Sequence, residues 1–236
     1  MEKLLIPAAY AVYAAFWIRL LMHGLVWWRA TKNTLFFLSP PVRTGTGSTI
    51  RSFGLTVLDV LFLGRVFIVN PALWFGEWLF HASFLLVILR HLRFFLNPVP
   101  GWVWALQTPG LLAGYVLPLS LVVILMIRLL TEREAYASPR NMVLLGLVLI
   151  QSAVGLAMQL AFTPDLVDVK LFIVGLMTLA PIAPPQSAWF FVHGVLFLVI
   201  VLLLPSHLVT APLVMYEARK RDERLKYVMH DKEDGR

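Results

Sequence analysis

The chain has 236 residues, 59% of them hydrophobic and 14% charged, with a formal charge of +7 and no cysteine. A soluble domain has about 45–50% apolar and about 25% charged residues, so too few polar side chains are present to coat a water-facing globule, and both a disordered chain and an ordinary cytosolic enzyme are excluded. The lack of cysteine removes disulfides, clusters or zinc ribbons held by thiolates, and haem attached through a C-x-x-C-H motif, while in a lipid-embedded chain the positions of the basic residues carry more meaning than their sum.

A bilayer core of about 30 Å needs roughly 20 apolar helical residues. Five stretches meet that requirement, at about 4–28, 74–96, 110–130, 141–163 and 188–216. The sequence therefore predicts an all-α fold, an integral membrane five-helix bundle over residues 1–216 followed by a basic tail, 217–236. The first stretch is too long for a cleaved signal peptide and ends in a basic flank. Between the first two spans, Ser39-Pro40-Pro41 and Gly45-Thr46-Gly47 are turn chemistry. From Ile50 to Val69, Phe53, Val57, Val60, Leu61, Gly64 and Phe67 recur at helical spacing, which predicts an amphipathic helix on the inner membrane surface. A second apolar run, Leu171 to Ala180, precedes Pro181, Pro184 and Pro185 and is read as a lid over the outer end. Fifteen Lys and Arg residues fall on the side of the 28–73 loop, the end of span three with the loop after it (Arg128, Arg133 and Arg140) and the tail, against Lys3 and Lys170 opposite. The bias places the N-terminus outside and the C-terminus in the cytoplasm.

Four of the six histidines lie within two spans: His81 and His91 in the second, His193 and His207 in the fifth. His23 reads as an interfacial anchor and His230 as a solvated tail residue. Ten residues of helix leave a pair roughly 80° apart and fourteen leave about 40°, so each pair shares one side of its helix. The two spans run in opposite directions. His81 then falls level with His207 near the inner end, and His91 level with His193 near the outer end. Ionisable groups inside spans usually face the bundle interior and have a function. Two facing imidazoles with no carboxylate or thiol suit axial haem ligation better than a zinc or oxygen-activating iron site. Gly194 is expected to let a flat macrocycle approach, and Pro205 to kink the helix. Arg90 and Arg93 flank His91 and require neutralisation by haem propionates or a quinol headgroup. Arg19 is placed near a propionate or lipid phosphate at the inner surface. Gln151, Gln159, Asp165, Asp168 and Lys170 line the way to the outer end as candidate proton or quinone contacts.

Two histidines ten apart on the second of five spans, two more on the fifth and an outside N-terminus resemble the γ subunit of respiratory nitrate reductase. The segment Phe80-His81-Ala82-Ser83-Phe84 through Arg90-His91-Leu92-Arg93-Phe94-Phe95, with the preceding Pro-Pro start, is more similar to the membrane cytochrome b of the dissimilatory sulfite reductase-associated complex, the DsrM-like branch. The fourteen-residue spacing on span five is shorter than in the nitrate reductase branch. The resemblance implies two non-covalent b haems, an inner one on His81 and His207 and an outer one on His91 and His193. It also implies a quinone near the outer haem, with menaquinol as donor, and a cytoplasmic iron–sulfur partner of the heterodisulfide-reductase or nitrate-reductase β type. The expected place is a prokaryotic cell (inner) membrane, with no nucleic acid bound. A haem-free membrane anchor for a soluble redox enzyme is the alternative, and a small transporter a third reading.

Overall fold

The computed structural model describes residues 2–37, 46–131 and 139–234. The Ser39–Pro41 turn and the 132–138 loop lie outside the described residues. Among those described there are nine helices and no strand: α1 (Glu2–Phe37), α2 (Thr46–Phe62), α3 (Gly64–Val69), α4 (Pro71–Phe95), α5 (Gly101–Ala105), α6 (Gln107–Thr131), α7 (Pro139–Leu160), α8 (Leu166–Met177) and α9 (Ala188–Asp234). The all-α expectation holds. Five helices are long and apolar enough to cross a membrane, through Leu4–Arg29, Pro71–Phe95, Gln107–Leu130, Asn141–Leu160 and Ala188–Val209. Leu119, Leu130 and Ile150, on two of these stretches, are more than half exposed. A chain with so much outward apolar surface needs lipid around it, and it is a multi-pass membrane protein.

The element ends follow local chemistry. Asn70 Oδ1 accepts the Leu73 N–H at 3.0 Å and Pro71 stands at the first turn of α4, a side-chain cap followed by a residue with no N–H to satisfy. Asp165 Oδ1 caps α8, accepting from the Val167 N–H at 2.7 Å and the Asp168 N–H at 3.3 Å. The single amphipathic helix expected over 50–69 is two helices, α2 and α3. The chain breaks at Leu63, whose φ of 51° is left-handed and cannot continue an α-helix. Thr46 and Gly47, expected in a turn, begin α2. The basic tail is not separate from the fifth span either, because α9 runs on to Asp234 through Pro205 and Pro212.

The chain divides into two compact units. One comprises Met1–Tyr13 and Asn70–Leu202, the other Ala14–Val69 and Leu203–Arg236. In the first, α4 and α6 pack as an antiparallel pair along their length, α6 packs on α7, and α8 on α4. Glycines set the α4–α6 spacing near both ends. A Cβ on Gly76 of α4 would lie 3.1 Å from Ile124 Cγ1, and a Cβ on Gly110 of α6 would lie 2.8 Å from the Arg90 side chain. Small residues permit such approach where lipid offers no hydrophobic drive to helix pairing. Two apolar clusters complete this unit. Leu5, Val169, Phe172 and Phe190 are buried together, with Phe94 and Phe191 against them. Leu117, Leu121, Val148 and Ile200 form the other, with Phe80, Phe84 and Val87 against it. The α8 helix, expected as a lid, packs Val169 and Phe172 into the first cluster beside Leu5 and Phe190.

In the second unit, α2 is amphipathic in the inverse sense. Its polar stripe Ser52, Thr56 and Asp59 is buried, while Ile50, Phe53, Val57 and Leu61 are exposed. Asp59 accepts two hydrogen bonds from Arg219, from Nε at 2.6 Å and Nη2 at 2.9 Å. Arg65 Nε stands 3.5 Å from the same carboxylate. The apolar face is left for lipid, and the polar stripe is held by the protein.

Candidate functional site

The outer pair of histidines lies within the first unit. On α4, His91 sits between Phe94, which packs on the cluster containing Phe190, and Val87, which packs on the cluster containing Ile200. On α9, His193 sits between Phe190 and Ile200 themselves. Both imidazoles therefore occupy the layer between the same two clusters. Both helices contribute side chains to the two clusters, which bound this layer above and below with apolar residues.

His91 is held as a metal-binding imidazole is usually held. Its Nδ1 is 2.7 Å from the Val87 carbonyl oxygen one turn back, so the N–H belongs on Nδ1 and Nε2 keeps its lone pair. Nε2 has no hydrogen-bond partner among the described residues. The arrangement repeats at His81, whose Nδ1 is 2.6 Å from the Glu77 carbonyl oxygen. The i−4 carbonyl of α4 thus fixes both rings in one tautomer.

His193 differs. Its Nε2 lies 3.0 Å from the Gln151 side-chain amide of α7. Its buried Nδ1 and the buried Gln151 Oε1 both lack partners. Leaving two buried polar atoms unmet is costly, so this corner is incomplete as a purely internal network. Gly155, one turn along α7 from Gln151, makes room for the ring: a Cβ there would stand 3.2 Å from His193 Cε1. Gly194, expected to admit a macrocycle, instead faces the Leu5 side chain, 3.9 Å from where its Cβ would be.

Arg90 and Arg93 are brought together. Arg90 Nε and Arg93 Nη1 both donate to Gln107 Oε1, at 3.5 Å and 3.0 Å. Arg90 Nη1 also donates to Gln159 Oε1 at 3.2 Å, and Gln159 Nε2 reaches the Tyr115 hydroxyl at 3.5 Å. Arg93 lies 4.6 Å from the Phe94 ring centroid, and its buried Nε has no partner. Among the described residues neither guanidinium forms an ion pair with a carboxylate. Two cations sharing neutral amides beside His91 are a candidate site for an anionic or carbonyl oxygen.

Of the other expected contacts, Gln151 and Gln159 belong to this site. Asp165 caps α8, and with Asp168 it lines a separate cleft near the stacked rings of Phe162 and Trp189. His207 is exposed and belongs to the second unit. Gln107, Tyr115, Gly110, Gly155 and Glu77 escape the sequence reading. Three are polar residues with no motif around them, and the glycines act through a missing Cβ. Among the described residues no group of three or more His, Asp or Glu side chains converges. The unpartnered Nε2 of His91 and Nδ1 of His193 are the kind of imidazole nitrogen that axial haem ligation uses.

Two curated archaeal proteins resemble this chain, each named Hdr-like menaquinol oxidoreductase cytochrome b-like subunit. The one from Archaeoglobus profundus is 32% identical over 50% of this chain and 40% of its own length. The one from Archaeoglobus fulgidus is 36% identical over 45% of this chain and 35% of its own length. The chain thus spans less than half the length of either relative in these matches. They bear out the similarity to membrane cytochrome b subunits of the DsrM-like type. No family model and no solved structure matches the chain.

Proposed function

We propose that this chain is a di-haem b subunit of a respiratory complex. In this reading it transfers electrons between a quinone, menaquinol oxidised near His91 and His193, and a cytoplasmic iron–sulfur partner of the heterodisulfide-reductase or nitrate-reductase β type, in a prokaryotic cell membrane. The observation that carries the reading is His91, with Nδ1 bonded to the Val87 carbonyl and Nε2 left without a partner, in the same layer as a His193 whose own polar surroundings are incomplete. The printed names of the archaeal relatives support the quinol-linked part.

Haem b, when bound, supplies a one-electron carrier that no side chain of this chain can replace. The residues themselves do the following. Val87 and Glu77 hold the N–H of His91 and His81 through their carbonyls, leaving each Nε2 as ligand. His193 is oriented differently: the Gln151 amide contacts its Nε2 at 3.0 Å and leaves Nδ1 as the nitrogen without a partner. Arg90 and Arg93 neutralise a propionate or polarise a quinone oxygen, and Gln107 and Gln159 aim them. The apolar clusters flank the layer on either side. For the second haem, His81 and His207 are assigned from the sequence resemblance.

The test is reduction of the purified full chain by a water-soluble menaquinol analogue, followed by haem absorbance. The wild type is expected to be reduced, and His91→Ala to lose quinol-dependent reduction while dithionite still reduces the haem that remains. Quinol reduction of His91→Ala at the wild-type rate contradicts the proposal, and a protein without haem absorbance returns the chain to the anchor reading.

A further inference from the structure

Glu77 is a carboxylate inside a candidate membrane span, on α4 four residues before His81. Three contacts converge on it. Its backbone oxygen is 2.6 Å from His81 Nδ1. Its Oε2 stands 3.9 Å from the same nitrogen. Its Oε1 accepts a hydrogen bond from Arg128 Nη2 of α6 at 2.6 Å. The carboxylate and the guanidinium are 14% and 21% exposed, and Arg128 Nε is buried without a partner. Desolvation offsets most of the attraction in such a pair, so a buried ion pair is weak evidence for stability. Apolar residues would join α4 to α6 as well, as Gly76 against Ile124 does one residue earlier. The ion pair therefore calls for another role, and the group beside it is the His81 ring.

We propose that Glu77 and Arg128 are positioning residues that set the electron affinity of the iron held by His81. The inference rests on the reading of His81 as an axial ligand. The Glu77 carbonyl fixes the N–H on Nδ1. The carboxylate beside that nitrogen makes the imidazole a stronger electron donor and favours the ferric state. The Arg128 guanidinium cancels much of that charge and leaves the pair near neutral. Removing either charge alone then moves the potential, in opposite directions, and removing both moves it little. A pair that merely fastened two helices has no such signature.

The experiment is an anaerobic redox titration of the full chain in detergent, with haem content and low-spin electron paramagnetic resonance recorded on the same samples. Glu77→Gln is expected to raise one haem potential by about a tenfold change in the reduction equilibrium, ~59 mV for one electron. Arg128→Met is expected to lower the same potential by a comparable step, and the double variant to return near the wild type. Unmoved potentials, or shifts of the same sign, overturn the proposal while the haem reading stands. If Glu77→Gln empties the site, the double variant decides: haem regained near the wild-type potential supports charge balance, and continued loss shows a structural role and overturns it. A wild type without haem defeats the ligand reading itself.

Discussion

His193 is shaped by what its neighbours lack. Gly155 gives the ring its room, because a Cβ there would lie 3.2 Å from Cε1, whereas Gly146 on the same helix has nothing within 4 Å of its own Cβ position. Gly155→Val is therefore expected to lower haem content severalfold, and Gly146→Ala to leave it unchanged. Haem absorbance per milligram of purified protein checks both, and equal content in the two variants removes Gly155 from the site. The histidines were legible in the sequence because ionisable residues stand out against an apolar background at helical spacing. Gly155, Gly110 and Gln107 were not. An absent side chain carries meaning only once the opposing helix is in place, and an amide gains a role only from the guanidinium that finds it.

At the scale of elements, α2 shows what period alone leaves open. The apolar spacing of Phe53, Val57 and Leu61 correctly indicated a helix, but which face turns inward depends on what surrounds it. The buried face is Ser52, Thr56 and Asp59, since Arg219 supplies the counter-charge from 160 residues away. The break at Leu63 was hidden for a similar reason: Leu63 and Gly64 fit the apolar pattern, and only the left-handed φ of 51° reveals the corner. Removing one partner of a buried ion pair typically costs about 3–5 kcal/mol. Asp59→Asn is accordingly expected to destabilise the protein by about 3 kcal/mol, while the paired change Asp59→Leu with Arg219→Met recovers most of the loss. Denaturant unfolding in detergent measures it, and a loss below about 1 kcal/mol, the range of exposed pairs, contradicts the latch. The α4–α6 seam makes a second prediction. Gly110→Leu must push the Arg90 stem, which lies 2.8 Å from the Cβ position. It should weaken quinol-analogue binding at least tenfold in a fluorescence titration, against no change for Gly114→Ala, which has open space.

For the whole molecule, five spans and the basic bias predict termini on opposite sides, with the N-terminus outside. The chain has no cysteine, so single-cysteine variants report cleanly on sidedness. Ser187→Cys is expected to react with an impermeant maleimide in intact cells, and Lys232→Cys only after the membrane is opened; the reverse pattern overturns the predicted topology. That the chain is a membrane protein was evident from composition. Its similarity to cytochrome b-like subunits was read from the residues around His81 and His91, and the archaeal relatives bear out the similarity. Its division into two compact units was not evident, because α1 and α9 each contribute to both and no linker marks the boundary.

The claim on which this account turns is that His91 and His193 together grip a porphyrin. The pyridine haemochrome of the purified chain, taken with its His91→Ala and His193→Ala variants, tests it most directly. The account expects two b haems per wild-type chain and one in each variant. A wild-type ratio near zero, or variants that keep both haems, contradicts it.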